Sequence, residues 1–176
     1  PPFPSTSWNT EAPAGAAELA PDYGWGLNFY APKETETYRA YIAAALEHFG
    51  KRVHVWEFLN EPLYTIHALP NVQQMDAPIP ALPGANYTVQ DYIDLLRIFY
   101  TEVKLDAPNA MTIGGLGGRP DLLTAEFFDA GGLEYVDFFN LHIYPGKRKP
   151  EGYISQMEIM LSHMDASATG RKPIWM

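Results

Sequence analysis

The chain has 176 residues, a formal net charge of −9, 47% hydrophobic residues and no cysteine. This length and composition are typical of one folded domain with a substantial core, and the lack of cysteine excludes disulfides and thiolate metal sites. The negative charge argues against nucleic-acid binding through phosphate neutralisation and against docking on an anionic membrane, so we expect neither partner.

The first third of the chain predicts a long loop, a helix and a strand. Residues 1–35 show no sustained apolar period, and four aromatic side chains fall within residues 23–30. The apolar spacing predicts a helix over 35–49, followed by Gly50, a residue common at helix C termini. Residues 53–62, VHVWEFLNEP, predict a buried strand that ends in Asn60-Glu61-Pro62.

The remainder alternates helices with strands. A proline-rich loop over 63–86 precedes a predicted helix over 88–105, where Thr88 and Asp91 have the spacing of a capping box. Strands are predicted over 110–115 and 136–144, with a short helix over 120–128 between them. A helix over 151–164 and the beginning of a strand over 173–176 complete the chain.

Strict alternation of helices and strands predicts a parallel sheet with right-handed crossovers. The strands are apolar at nearly every position, which indicates that both sheet faces are covered. No GxGxxG or P-loop sequence follows a strand, which argues against a nucleotide-binding doubly wound sheet. We therefore predict an α/β fold that is part of a TIM (β/α)8 barrel, which typically has about 250 residues. Because both ends look cut, we expect residues 1–176 to be a single domain that is a fragment of such a barrel.

Barrel active sites form at the carboxyl ends of the strands. Here those ends carry Asn60-Glu61, Gly114-Gly115 and 142–144, while Trp8 and Trp25 lie in the preceding loop. A carboxylate, amide and imidazole donors, and aromatic rings suit a sugar, which offers hydroxyls for hydrogen bonds and C–H faces for stacking. The expected partner is therefore a carbohydrate.

The segment WEFLNEP, residues 56–62, resembles the fourth-strand motif of the clan A glycoside hydrolases, which are retaining enzymes on a (β/α)8 barrel. Residues 1–8 resemble the segment leaving strand three, residues 142–144 the end of strand six, and residues 172–176 strand seven. The resemblance implies that the chain holds roughly strands 4–6 with flanking helices and the start of strand seven. The N- and C-terminal parts of the barrel would then be missing.

This resemblance implies roles for individual residues. Glu61 would be the general acid/base, and Asn60 would bind the 2-hydroxyl of the sugar or the nucleophile. The nucleophile matches no residue of this chain and is expected just after Met176, so we expect the chain alone to be inactive. The substrate-binding side chains would be Trp8, Trp25, His142 and Tyr144. Plausible substrates are β-linked glycosides, from xylosides to glucans or mannans.

Other polar residues have less specific explanations. Glu57, inside the predicted strand, is expected to be a structural acid paired with an arginine or lysine. The basic run 147–149 is expected to be a solvated turn. No cofactor motif and no metal-ligand spacing such as HExxH occurs, so neither a cofactor nor a metal is expected.

Two alternatives to a glycosidase remain open from the sequence. One is a catalytically silent carbohydrate-binding protein on the same barrel. The other is an unrelated barrel enzyme such as an aldolase or isomerase, although no lysine lies at a strand end and no phosphate site is recognisable. Localisation is left open.

Overall fold

The computed structural model describes residues 4–19, 26–65, 67–71, 73, 83–117, 122–144 and 149–176. Five α-helices and four strands are formed within these ranges. In chain order they are α1 (Ala16–Leu19), α2 (Thr35–Phe49), β1 (Val55–Glu57), α3 (Val89–Asp106), β2 (Met111–Gly114), α4 (Leu122–Asp129), β3 (Phe138–Asn140), α5 (Ile154–Ala166) and β4 (Ile174–Trp175). Short 3-10 helices span Gly26–Phe29, Gly132–Tyr135 and Pro150–Tyr153.

The four strands form one parallel sheet in the order β1-β2-β3-β4. Glu57 pairs with Ile113, Gly114 with Phe139, and Asn140 with Trp175. Each strand therefore lies beside its successor in the chain, as in a (β/α)8 barrel, whereas a doubly wound sheet reverses its strand order. The predicted α/β fold of a partial barrel is confirmed. No helix in the described ranges is both long enough and apolar enough to span a membrane.

The helix boundaries follow local signals that the sequence already contains. Thr88 and Asp91 form the predicted capping box at the start of α3, with each side chain bonded to the backbone N–H of the other. Gly50 ends α2 as predicted, but in a right-handed rather than a left-handed conformation. A Cβ at Gly50 would lie 2.5 Å from the carbonyl oxygen of Leu46, so close backbone approach explains this glycine.

Aromatic rings fill the space between the sheet and the helices. Phe58, just after β1, stacks on Tyr92 and Phe99 of α3 with ring centroids 5.3 and 5.1 Å apart. Tyr92 also packs on Phe127 of α4, which in turn packs on Phe139 of β3. Full burial of such a side chain contributes about 1.5–3 kcal/mol, so these rings anchor the helices on one sheet face. A smaller buried cluster under the N-terminal loop consists of Ala16, Phe29, Tyr30 and Ala85.

At the amino-terminal edge of the sheet, Asp137 links α3 and β2 to the segment that precedes β3. Its Oδ2 accepts hydrogen bonds from Lys104 Nζ at 2.7 Å, the Thr112 backbone N–H at 2.7 Å and the Thr112 hydroxyl at 3.1 Å. Burial works to raise the pKa of Asp137, but the hydrogen bonds and charge of Lys104 and the Thr112 bonds outweigh it, so the pKa is lowered. This network fixes the edge opposite the strand ends that carry the candidate site.

Candidate active site

Glu61 and His142 meet at the carboxyl edge of the sheet. Oε1 of Glu61 lies 2.9 Å from Nδ1 of His142, which is hydrogen-bond distance. Both side chains are partly buried, so the contact is shielded from water without being closed off from it. The exits of β1 and β3 therefore come together, although β2 separates these strands in the sheet.

The backbone around Glu61 is strained. Leu59, Glu61 and Leu63 all have positive φ angles, of 39°, 45° and 70°. This conformation costs a residue other than glycine on the order of 1–3 kcal/mol, and it clusters at functional sites. The strand pairing ends before this turn. β1 stops at Glu57, whereas the sequence predicted a strand over 53–62. The buried side chains of Leu59 and Leu63 anchor the turn on both sides of Glu61.

A glycine after β2 accommodates this turn. A Cβ built on Gly117 would lie 3.4 Å from the Glu61 Cα and from its Cγ. Gly117 itself has a φ of +65°, a conformation that L side chains rarely adopt. The sequence contains Gly117 without any signal that it packs against Glu61.

Glu57 is bonded to Asn140. The Asn140 Nδ2 donates to the Glu57 Oε1, and within the described ranges no lysine or arginine pairs with Glu57. Among the described residues, the partner of Glu57 is therefore a neutral amide. Both side chains lie on the inner face, which we define as the sheet face opposite α3 and α4, because Phe58 and Phe139 occupy the helix-facing positions next to them.

Sequence reasoning missed Asn140, a polar residue that is almost completely buried. The signal was present, because Asn140 follows two phenylalanines at an inward position of an apolar strand. In the sheet, Gly115 lies one residue beyond the Gly114–Phe139 pair and is therefore level with Asn140. The Glu57 and Asn140 side chains meet across β2, whereas a Cβ on Gly115 would lie 2.8 Å from the Phe139 ring and 2.9 Å from the Asn140 carbonyl oxygen.

Tyr92 fixes the end of β2 from the helix side. Its hydroxyl donates to the Gly115 carbonyl at 2.8 Å and accepts from the Gly115 N–H at 2.9 Å. Burial raises the pKa of Tyr92 well above its ordinary value, against the effect of its bond to the backbone of Gly115. The hydroxyl therefore stays protonated and can make both bonds.

The other sequence-predicted residues lie in different surroundings. Tyr144 is 75% exposed and stands edge-on to the His142 ring at a centroid distance of 6.5 Å, so it belongs to the Glu61 cluster. Asn60 is exposed beside Glu61. Trp8 lines a separate cavity beside α2. Trp25 and the basic residues 147 and 148 lie outside the described ranges.

A second opening adjoins the Glu61 cluster between β3 and α5. It has a volume of about 760 Å³, and its lining includes His142, Tyr144, Met157 and Met176. Its walls are mainly apolar, with polar groups from His142, Glu158 and the Tyr153 hydroxyl, which donates to the Tyr144 carbonyl at 3.1 Å. Among the described side chains, no group of three or more His, Asp or Glu residues could hold a metal ion. The described side chains at this edge supply a carboxyl, an imidazole and aromatic rings.

Comparison with known proteins finds similar folds among solved structures. The GH39 enzyme from Xanthomonas axonopodis pv. citri superposes with a TM-score of 0.60 at 17% identity, covering 87% of this chain and 31% of that one. A GH39 β-xylosidase from Caulobacter crescentus gives 0.55 at 18% identity, covering 82% of this chain and 29% of that one. No protein-family model matches the sequence, and no curated protein matches it significantly. The chain thus has the fold of one part of these enzymes and spans about three tenths of their length.

Proposed function

We propose that the protein is a retaining glycoside hydrolase of the clan A type, in which Glu61 is the general acid/base. The observation that carries this proposal is the contact between Glu61 and His142, formed on a strained turn at the carboxyl edge of a parallel barrel sheet. Carboxyl-edge loops are where barrel enzymes build their active sites. The likeness in fold to GH39 enzymes supports the proposal.

The mechanism requires two carboxyl groups about 5–5.5 Å apart. In such enzymes the negative nucleophile favours the protonated form of its neighbour, which can then protonate the leaving oxygen. Once the nucleophile has formed a glycosyl ester its charge is gone, and the same neighbour removes a proton from water. In our proposal Glu61 performs both proton transfers.

The nucleophile is proposed to come from the position that follows Met176. Trp175 pairs with Asn140, so that position lies beside His142 in the parallel register. Neighbouring strands are about 4.8 Å apart, a spacing that brings a side chain there close to the Glu61 cluster. Glu57 is a poor substitute because its carboxylate is already bonded to Asn140. The 176-residue chain alone is therefore proposed to be inactive.

His142 is proposed to orient the acid rather than only to bind sugar. Its Nδ1 engages Oε1 of Glu61, and Oε2, to which no described residue is bonded, is the oxygen proposed to face the glycosidic oxygen. With its proton on Nδ1, the imidazole donates to Oε1 both when Glu61 is a carboxylate and when it is a carboxylic acid with its proton on Oε2. One contact can thus serve both states of the catalytic cycle.

The proposed substrates are β-linked glycosides, with xylosides first among xylosides, glucans and mannans. Two similar structures carry the name β-xylosidase, which supports this order. Tyr144 offers an exposed ring for stacking, and Asn60 is assigned to the 2-hydroxyl or the nucleophile. Residues 1–176 would form one domain, the central part of the barrel, with a carbohydrate as its partner.

The test is hydrolysis of an aryl β-xyloside by a protein that extends past Met176 and so includes the proposed nucleophile. Glu61→Gln is expected to lower kcat/KM by roughly 10²–10⁴-fold, the range for loss of a general acid/base. Glu47→Gln, which removes an exposed carboxylate on α2, serves as the matched control and should leave the rate unchanged. If Glu61→Gln cleaves as fast as an active parent, Glu61 is not the acid/base. If the parent itself does not cleave, a silent carbohydrate-binding barrel is favoured.

A further inference from the structure

A small cavity lies beside the start of α2, away from the Glu61 cluster. Its volume is about 200 Å³, below the roughly 300–1,000 Å³ of most ligand pockets. It is formed by residues 4–9, residues 28–32 and the first two turns of α2. None of its lining residues contacts Glu61 or His142 through a hydrogen bond that the structure describes.

Three polar atoms of its lining residues are buried without a partner. They are the hydroxyl of Thr6, the amide oxygen of Asn28 and the hydroxyl of Tyr38, and none has a hydrogen bond within the described part of the chain. Leaving such a group unpaired costs about 1–3 kcal/mol, so three around one cavity is an unusual concentration. Burial raises the pKa of Tyr38, so its hydroxyl remains a donor.

Two aromatic rings extend the same cavity to the surface. Trp8 is 73% exposed and Tyr41 is 51% exposed, whereas Tyr38 at the inner end is buried. Exposed rings leading to unpaired hydroxyl and amide groups match the two surfaces of a sugar. Its C–H face stacks on an aromatic ring, and its hydroxyls both donate and accept hydrogen bonds.

The cavity walls are held in place before any ligand arrives. Asn9 bridges to the start of α2, because its Nδ2 donates to the Glu34 carbonyl at 3.1 Å and its Oδ1 accepts from the Glu34 N–H at 2.9 Å. The Thr10 hydroxyl donates to the Leu27 carbonyl at 2.6 Å. A pre-formed wall lowers the entropy lost on binding.

We propose that this cavity is a second carbohydrate site, which binds one sugar ring through Thr6, Asn28 and Tyr38 with Trp8 as its stacking platform. The proposal rests on the proposed function, since that function makes carbohydrate the expected ligand. The α2 helix runs antiparallel to the strands, so its first turn lies at the same edge of the sheet as Glu61. One ring of a polymeric substrate can therefore be held here while another part of the chain reaches Glu61.

The test is titration of the ¹⁵N-labelled protein with methyl β-D-xylopyranoside and methyl β-D-glucopyranoside. Saturable shifts in the millimolar range are expected at the Trp8 indole N–H and in residues 4–9, 28–32 and 37–41. Trp8→Ala and Tyr38→Phe should each weaken this binding by about five- to tenfold, since they remove a stacking ring and a hydrogen bond respectively. The matched control is Tyr100→Phe, which deletes the hydroxyl of a partly buried tyrosine on α3, away from the cavity.

The Glu61→Gln variant separates this inference from the proposed function. Binding at the cavity should persist in Glu61→Gln, whatever happens to hydrolysis. Shifts that disappear in Glu61→Gln, or that are unchanged in both Trp8→Ala and Tyr38→Phe, overturn the second site even if the protein is a glycosidase. Absence of any shift at the cavity for both glycosides overturns it as well. Loss of hydrolysis in Glu61→Gln with intact cavity binding leaves both proposals standing.

Discussion

The imidazole of His142 and the carboxyl of Glu61 are 81 residues apart in the chain, yet their Nδ1 and Oε1 atoms are 2.9 Å apart at the carboxyl edge of the sheet. The contact bridges the exits of β1 and β3. His142, which the sequence analysis assigned to sugar binding, is therefore the described side chain bonded to the carboxyl of the proposed acid/base.

Replacing His142 tests this partnership. His142→Ala should lower kcat/KM for an aryl glycoside by roughly ten- to a hundredfold, because a hydrogen bond to a charged group contributes about 1.5–3 kcal/mol. His142→Asn, which can still donate to Oε1, should recover part of the loss in kcat. His163→Ala, an exposed histidine on α5, is the control. A change confined to KM, with no rescue by Asn, would contradict an orienting role and favour simple sugar contact.

Gly117 and Gly170 allow backbone strain to be separated from contact with the site. Both have positive φ angles, but only Gly117 lies against Glu61, whereas a Cβ on Gly170 would meet nothing within 4 Å. Each change to Ala should cost about 1 kcal/mol of stability through its left-handed backbone. Only Gly117→Ala should also reduce the hydrolysis rate, since the backbone that must shift to relieve its φ of +65° is in contact with the turn that presents Glu61. Equal rate losses in the two variants would show that stability, not position, controls activity.

Asn140→Asp would bring a second carboxylate against Glu57. We expect lower stability at pH 7 than at pH 4, because like charges repel when both groups are ionised and less when one is protonated. Urea unfolding at the two pH values measures this difference. Adding Glu57→Gln to the variant should remove most of the pH dependence. If the double variant keeps the full pH dependence, the Glu57–Asn140 contact does not exist in solution.

The Asp137 network makes a different prediction about pH. Because the pKa of Asp137 is lowered in the folded protein, its ionised form stabilises the fold above the unfolded value of about 3.9, and this contribution is lost as pH falls through the folded value. Asp137→Asn should therefore destabilise the protein at pH 7 by about 1–2 kcal/mol, allowing for partial exposure.

The Asp137→Asn deficit should shrink as the pH falls below about 4, where the parent loses the same interaction. Urea unfolding curves at pH 7 and pH 3 test this. Asp129→Asn, an exposed carboxylate at the end of α4, should change stability little at either pH. A deficit in Asp137→Asn that is as large at pH 3 as at pH 7 would exclude ionisation as its cause.

The spacing of apolar residues along the sequence predicted most of the fold. The order of helices and strands followed from apolar spacing, and the capping box at Thr88 followed from two residue types three positions apart. The position of Glu61 at a strand exit also followed, because Asn60-Glu61-Pro62 ends an apolar run. These features depend on neighbours in the chain, which a sequence displays directly.

The contacts that define the site could not be predicted from neighbouring residues in the sequence. The left-handed turn at Leu59, Glu61 and Leu63 shortened the predicted strand, although none of these residue types favours a positive φ. The bond between Glu57 and Asn140 joins side chains that are 83 residues apart across β2, and separation of this kind is not visible in the sequence. Trp8 turned out to line a cavity beside α2 because Asn9 fixes its loop to the start of that helix.

The dependence of the Glu61→Gln variant on the leaving group tests the central claim most directly. A dinitrophenyl glycoside needs no protonation to depart, whereas an alkyl glycoside does. If Glu61 is the acid, the variant should lose far more kcat/KM on the alkyl substrate, and azide should restore turnover of the dinitrophenyl substrate by replacing the water that Glu61 activates. An equal loss on both substrates, with no response to azide, would contradict a proton-transferring role for Glu61.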